Sequence, residues 1–273
     1  MLSRVEYYLE EIKHIQKKCF KVTNQIDEIA KRQLKNYRSI KPGLCFGEKD
    51  FSLDLSDAYA VQDAVVRLRI QEGERVVGFK VGCTGPGTTK LFGMKGPIRG
   101  TLFDKEVHES GVELDPKSFC NLAVEAEMAM TVGEQGQIIA VFPVIELHNF
   151  VFRAPKKSLS ELIANNGLNK GIILSKQNWE QSPEHYDETS VLSLEINGLV
   201  IDSGDLWPTD GGPLSSLNWL QKHLVRNNLK LSAGDIILGG TALGLYPVQP
   251  GDKIEVKVNK EVAVQCVINS CLI

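Results

Sequence analysis

The seven residues from Val124 to Met130 place two glutamates in an otherwise apolar run. Read as a β-strand, the period of two sends Glu125 and Glu127 to one face and the apolar residues to the other. In an α-helix, positions two apart diverge by roughly 200° and could not share a ligand. Two carboxylates on one partly dry face repel each other, so the pair must take up a proton or hold a cation. The segment therefore predicts a strand with one apolar face and one acidic face.

A third acid, Glu146, lies in a second apolar run that extends from Val141 to Leu147. Three carboxylates supply hard oxygen ligands, which favour Mg²⁺, Mn²⁺ or Ca²⁺ over zinc or copper. The alternative is a solvated sheet face, on which alternating glutamates need no ion. The acids alone leave both interpretations open.

Helices and strands are mixed along the rest of the chain. The spacing of apolar residues predicts helices at Leu55–Ile70 and Pro213–Val225, and a β-branched strand at Arg75–Val81 that carries Lys80. The glycines that follow this strand suit a turn, and neither nucleotide-binding glycine pattern is present. Asn197–Gly198 predicts a hairpin among several strands of the C-terminal half. This arrangement predicts an α+β fold, not a doubly wound one.

The first forty residues differ from the remainder, because apolar residues recur at spacings of three and four among many charged ones. This pattern predicts an amphipathic helix, broken at most once. It divides the chain into an N-terminal helical segment over 1–48 and a main domain over 49–273. The favoured interpretation is packing on the body or on a partner subunit. Docking to another pathway enzyme and binding to a membrane surface are the alternatives.

Composition excludes several classes of function. A net charge of −3 offers no electrostatic attraction to nucleic acid or to an anionic membrane, and no apolar run approaches the ~18 residues of a transmembrane helix. The six cysteines form no C-x-x-C pair, which favours reduced thiols and a cytoplasmic location.

Seven short segments occur in an order typical of one enzyme family. They are Gly78–Gly82, Gly96–Phe103, Val124–Glu127, Phe142–Glu146, Ile163–Gly167, Gly212–Leu220 and Ala233–Gly240. Together they resemble the 2-keto-4-pentenoate hydratase and 2-oxohepta-3-ene-1,7-dioate hydratase branch of the fumarylacetoacetate hydrolase superfamily. The resemblance implies a mixed β-roll or barrel-like catalytic domain, a homo-oligomer and a role in aromatic catabolism.

The resemblance also implies roles for particular residues. Glu125, Glu127 and Glu146 match the ligands of a Mg²⁺ or Mn²⁺ ion, and Lys80 matches an active-site lysine. Thr241 matches a loop that receives a substrate carboxylate.

Other candidates follow from residue chemistry near these motifs. His148 is two residues beyond Glu146, and its pKa near neutrality suits general acid/base catalysis. Arg99 and Asn166 are candidates for binding substrate, and Arg153 for binding a second substrate carboxylate.

Two departures from the family pattern bear on the reaction. Ile98 occupies a segment in which hydratases of this branch tend to carry an acid, so His148 is the substitute candidate for proton transfer. The turn over 133–137 is short, which predicts the loss of a helix that would line the site. The expected activity is that of a metal-dependent lyase acting on a small 2-oxo acid through a metal-stabilised enolate, by hydration of an alkenoate or the related decarboxylation. An acylpyruvate-type C–C hydrolase and an inactive binding relative are the alternatives.

Overall fold

A computed structural model of the protein describes residues 25–43, 46, 53–93, 96–153, 156–186 and 189–270, with the side chains at 86, 87 and 89 left out. The apolar positions of the predicted helix within residues 1–24 therefore lie outside the described residues. The described helices are α1 over 25–38, α2 at Leu55–Gln71, α3 at Pro86–Phe92, α4 at Leu159–Ala164 and α5 at Gly212–Arg226.

The larger sheet of the described residues is mixed and carries the acidic hairpin. Its strands are β1 (Val76–Gly82), β2 (Ile98–Phe103), β3 (Val107–Glu109), β5 (Leu122–Val132), β6 (Ile138–Asn149), β7 (Asn169–Leu174), β10 (Ile236–Leu238) and β11 (Tyr246–Pro247). The order is β2-β1-β10-β5-β6-β7-β3, with β11 paired to β5. The pairs β1/β10 and β3/β7 are parallel, whereas β5 and β6 are antiparallel.

The smaller sheet packs against the apolar face of the acidic strand. Its strands, in the order β4-β13-β12-β8-β9, are β4 (Val112–Leu114), β8 (Val191–Ile196), β9 (Leu199–Asp205), β12 (Lys253–Val258) and β13 (Glu261–Ile268). Val124, Ala126 and Met128 of β5 are fully buried in one cluster with side chains from β8, β12 and β13. The opposite face of β5, which carries the glutamates, is thereby turned away from the smaller sheet.

The described part of the N-terminal segment packs on the body of the protein. Ile29 of α1 is buried in a cluster with Ala58 of α2 and Leu162 of α4. Polar contacts reinforce this packing, since Tyr37 donates a hydrogen bond to the Glu106 carboxylate. The division near residue 48 stays a prediction, because residues 47–52 lie outside the described part of the chain.

Most predicted elements are present, with local differences. The hairpin at Asn197–Gly198 has positive φ at both residues, as its turn chemistry predicts. The N-cap of α2 is Asp54, whose carboxylate accepts the N–H of Asp57. The turn expected after β1 contains α3. The α+β class and the mixed, curled sheet agree with the predicted fold.

Candidate active site

The three glutamates predicted as ligands share one face of the β5–β6 hairpin. Glu125 and Glu146 are direct cross-strand partners, and Glu127 is two residues further along β5. Glu146 and Glu127 are buried, whereas the Glu125 side chain is 20% exposed. Burial of three adjacent carboxylates is unfavourable unless cations or protons accompany them.

Polar side chains from three strands contact Glu146. Its Oε1 atom lies 2.6 Å from Lys80 Nζ and accepts a hydrogen bond of 2.7 Å from Asn169 Nδ2. His148 Nε2 lies 3.1 Å from Glu146 Oε2 and 3.1 Å from Glu125 Oε2. Lys80 also donates to the carbonyl of Gly167 at 3.2 Å. The arrangement brings both predicted catalytic residues, Lys80 and His148, to the acidic face.

The protonation states follow from burial and from these neighbours. Burial raises the pKa of Glu127 well above its usual value, and the carboxylates of Glu146 and Glu125 raise it further. Burial also opposes ionisation of Glu146, but His148 and Lys80 hold the pKa of Glu146 below its ordinary value. Burial lowers the pKa of Lys80 and of His148, but Glu146 outweighs it and raises both. The site therefore favours cations at Lys80 and His148 beside an ionised Glu146.

The loop that follows β10 closes over Glu127. The N–H of Gly240 donates to Glu127 Oε1. Gly240 has a φ of +84°, and a Cβ there would overlap the Thr84 side chain, so the residue must be glycine. Thr241 is buried, and its Oγ1 accepts the N–H of Leu243 at 3.0 Å. This loop places Thr241 in the wall of the same cavity as the carboxylates.

The cavity over the carboxylates has a volume of about 300 Å³ and is lined by all three glutamates together with Thr241. One atom each from Glu125, Glu146 and His148 lies within 4.8 Å of the others. Glu146 Oε2 is buried and accepts no hydrogen bond from a described residue, although His148 Nε2 lies 3.1 Å away. An acceptor without a donor beside two further carboxylates fits a hard divalent cation such as Mg²⁺.

Three predicted substrate-binding residues are not brought to this cavity. Arg99 is 1% exposed, and its guanidinium pairs at 2.5 Å with Asp63 of α2, outside the walls of the cavity. Asn166 is occupied with the backbone of Thr101, from which it accepts at 2.7 Å and to which it donates at 2.8 Å. Arg153 is exposed and does not line the cavity.

Asn169 and the backbone of Gly240 were not among the predicted site residues. The glycines at 239–240 indicate a loop before Thr241, but no sequence signal connects this loop to Glu127. Asn169 follows a short helical turn and had no motif at all. Its role depends on the pairing of β6 with β7, which only the folded chain shows.

The turn over 133–137 is short and carries no helix, and it lies away from the glutamates. Gly133 N–H donates to Gln137 O at 2.9 Å, which closes the β5–β6 hairpin tightly. Glu125 is near the opposite end of β5, and at ~3.3 Å per residue the turn is roughly 25 Å away from it.

Comparisons with known proteins agree with this architecture. No family model matches the chain. It is 26% identical over 234 residues to a 2-oxo-hept-4-ene-1,7-dioate hydratase of Escherichia coli, covering 78% of this chain and 86% of the relative. It is also 26% identical over 249 residues to a 2-keto-4-pentenoate hydratase of Paraburkholderia xenovorans (strain LB400), covering 86% and 91%.

A solved structure shares the fold almost throughout. This is the 4-oxalocrotonate decarboxylase from Pseudomonas putida G7, complexed with magnesium and adipate, at a TM-score of 0.82 and 24% identity. The match covers 90% of this chain and 97% of that one. None of the helices in the described ranges combines the length and the apolar character that a membrane span requires. The chain thus has the α+β fold of this decarboxylase, and its predicted resemblance to 2-keto-4-pentenoate and 2-oxo-hept-4-ene-1,7-dioate hydratases is confirmed.

Proposed function

We propose that this chain is a divalent-metal-dependent lyase that acts on a small 2-oxo acid. Its main reaction would be hydration of a 2-oxo or 2-hydroxy alkenoate, and decarboxylation of a 2-oxo diacid is the related reaction. One observation carries the proposal: three adjacent carboxylates line one cavity of about 300 Å³, and a buried lysine and a histidine contact one of these carboxylates, Glu146. The names of the similar proteins, which are hydratases and decarboxylases, support the same chemistry.

Glu125, Glu127 and Glu146 would hold Mg²⁺ or Mn²⁺. When bound, such an ion acts as a Lewis acid that favours negative charge on the 2-oxo oxygen of a substrate, an effect worth several kcal/mol. Neighbouring groups support the ligand set, because Asn169 and the Gly240 N–H each donate to one glutamate and fix its orientation.

Lys80 and His148 are the groups that would move a proton. Lys80 Nζ is buried and carries its proton beside Glu146, so it orients this carboxylate and would supply a proton to a substrate. His148 Nε2 lies between Glu125 and Glu146, where it can pass a proton to or from a carboxylate. Ile98 is buried next to Lys80 and excludes water from the Lys80 side chain. Thr241 would receive the substrate carboxylate at the loop.

Turnover of 2-hydroxyhexa-2,4-dienoate and of 2-oxohept-4-ene-1,7-dioate tests this proposal. We expect activity with Mg²⁺ or Mn²⁺ and none after chelation. Glu127→Gln should lower kcat/KM at least about 100-fold. Glutamine has almost the same shape as glutamate but lacks the negative charge of this metal ligand. Glu195→Gln is the matched control, since Glu195 pairs with Lys257 in the other sheet and should leave activity unchanged.

The products distinguish the related reactions. Addition of water without gas release indicates a hydratase, and release of CO₂ with uptake of a proton indicates a decarboxylase. Release of pyruvate from an acylpyruvate indicates the C–C hydrolase. Saturating metal without turnover of any of these substrates would contradict the proposal. A homo-oligomer in the cytoplasm is part of the proposal, and light scattering of the purified protein tests the assembly.

A further inference from the structure

A second chamber lies next to the carboxylate cavity and leads from it to the surface. Its volume is about 150 Å³, and it shares Gly82, Cys83, Thr88, Glu125 and Leu245 with the larger cavity. Because these residues belong to both walls, the two spaces are neighbours. A ligand whose head lies at the glutamates can therefore extend its tail into the chamber.

The walls of the chamber change character from the inner to the outer end. Lys80 and His148 line it beside Glu125, whereas Phe92, Phe150 and Phe152 line it further out. The rings of Phe150 and Phe152 meet edge to face at 5.2 Å, and those of Phe92 and Phe152 stack at 6.4 Å. Such a wall suits an unsaturated carbon chain, since aromatic faces pack well against flat apolar groups.

Lys157 is the cation at the outer end. Its Nζ atom lies 4.6 Å from the ring centroid of Phe150 and 5.3 Å from that of Phe152, and the residue lines the chamber. It pairs with no carboxylate in the described part of the chain. An exposed cation over two aromatic rings gains about 0.5–1 kcal/mol from them, which holds it in place but leaves its hydrogen-bond donors available.

The backbone beside Lys157 is fixed by the start of α4. Ser158 is the N-cap of this helix, and its Oγ accepts the N–H of Glu161 at 3.1 Å. The Glu161 carboxylate in turn accepts the N–H of Arg153 at 2.6 Å. Lys157 therefore directly precedes an ordered helix start, and its ammonium lies over the two phenylalanine rings.

The other cations of the chamber, Lys80 and His148, are not available to a second carboxylate, and His148 Nε2 lies 3.1 Å from both Glu125 and Glu146. Lys80 already forms a buried pair with Glu146 at 2.6 Å. Arg153, which the sequence predicts for this role, does not line the chamber. Among the described residues, Lys157 is thus the free cation that a substrate tail would meet as it leaves the aromatic wall.

We propose that Lys157 binds the distal carboxylate of a 2-oxo diacid whose carbon chain lies against Phe150 and Phe152. This inference rests on the proposed function for the head of the substrate and names the class to which the substrate belongs. The diacid is preferred over a monoacid of equal length because only the diacid pairs with the ammonium at the mouth.

Two stable analogues, 2-oxoadipate and 2-oxohexanoate, separate this inference from the proposed function. Calorimetric titration with Mg²⁺ present should show that the wild-type protein binds the diacid about tenfold more tightly than the monoacid. Lys157→Gln should abolish this preference and Lys157→Arg should restore it. Lys156→Gln, which removes the same charge one residue earlier and outside the chamber wall, should keep the preference.

Turnover supplies the second readout. The ratio of kcat/KM for 2-oxohept-4-ene-1,7-dioate to that for 2-hydroxyhexa-2,4-dienoate should fall about tenfold in Lys157→Gln, through KM and not kcat. If the wild-type protein turns over neither compound but still prefers the diacid analogue, the proposed function fails and this inference stands. Equal binding of both analogues by the wild-type protein, or a preference that survives Lys157→Gln, would overturn the inference.

Discussion

The buried ion pair between Lys80 and Glu146 predicts a large loss of stability on Lys80→Met. The two side chains are 4% and 1% exposed, so water cannot replace the lost ammonium. Removal of one partner from a buried pair costs about 3–5 kcal/mol. Glu146 retains Asn169 and His148, which lie 2.7 Å and 3.1 Å away. We therefore expect the lower end of the range, about 3 kcal/mol, in metal-free protein.

A matched variant controls for the loss of a lysine charge. Lys257 pairs with Glu195 at 2.5 Å in the smaller sheet, but these side chains are 18% and 13% exposed. Lys257→Met should cost less than about 1 kcal/mol, because water screens this pair. Urea unfolding of both variants and of the wild-type protein, at equal m-values, gives the difference in the free energy of unfolding.

Added Mg²⁺ provides a second test of the same prediction. Lys80→Met leaves an additional uncompensated negative charge at the carboxylates, so Mg²⁺ should stabilise this variant more than the wild-type protein. In Lys257→Met the gain from Mg²⁺ should equal that of the wild-type protein. A metal-free Lys80→Met protein that is as stable as Lys257→Met would refute the reasoning from burial.

Three further predictions concern Glu146, Gly240 and Glu74. Glu146→Gln should lose the rise in melting temperature that Mg²⁺ gives the wild-type protein, a gain worth about 2.7 kcal/mol at 100 times Kd; an equal rise in both proteins would contradict the ligand assignment. Gly240→Ala forces a side chain to a φ of +84° and against Thr84, so urea unfolding should show a loss of about 1–3 kcal/mol, and a neutral result would show that the loop adapts freely. Burial raises the pKa of Glu74. The guanidinium groups of Arg69, 2.5 Å away, and of Arg38 outweigh burial and hold this pKa below 4.5. Its ionised form thus stabilises the fold above about pH 4.5, and the contribution is lost as pH falls through the lowered pKa. Between pH 3 and 6, the free energy of unfolding should therefore fall more steeply with acid in the wild-type protein than in Glu74→Gln. Parallel curves would contradict this.

The acidic hairpin could be predicted because its information is local. The alternation around Glu125 and Glu127 defines the faces of the strand, and the tight turn over 133–137 defines the partner strand. Glu125 precedes the turn by eight residues and Glu146 follows it by nine. A hairpin with one irregularity, which the structure has near Val132, pairs these two acids directly.

The substrate-binding residues depend on contacts between distant segments, and the sequence predicted them less well. Ile98 and Arg99 alternate along β2, so only one of them can face Lys80, and nothing local decides which. The partner of Arg99 is Asp63, a residue 36 positions earlier in α2. Lys157 carried no motif, because its position over the phenylalanine rings depends on how the start of α4 returns to the end of β6.

The two departures from the family pattern differ in what they imply for the reaction, because they lie at different places in the fold. The short turn is at the far end of the hairpin, so it gives no reason to expect an inactive protein. Ile98 is near Lys80, since a Cβ at Gly167 would lie 3.4 Å from Lys80 Cε and 3.5 Å from Ile98 Cδ1. An acid at this position would compete with Glu146 for the Lys80 ammonium, whereas isoleucine leaves the ammonium with Glu146 alone. We therefore expect Lys80 and His148 to share the proton transfers that an acid at position 98 would otherwise assist.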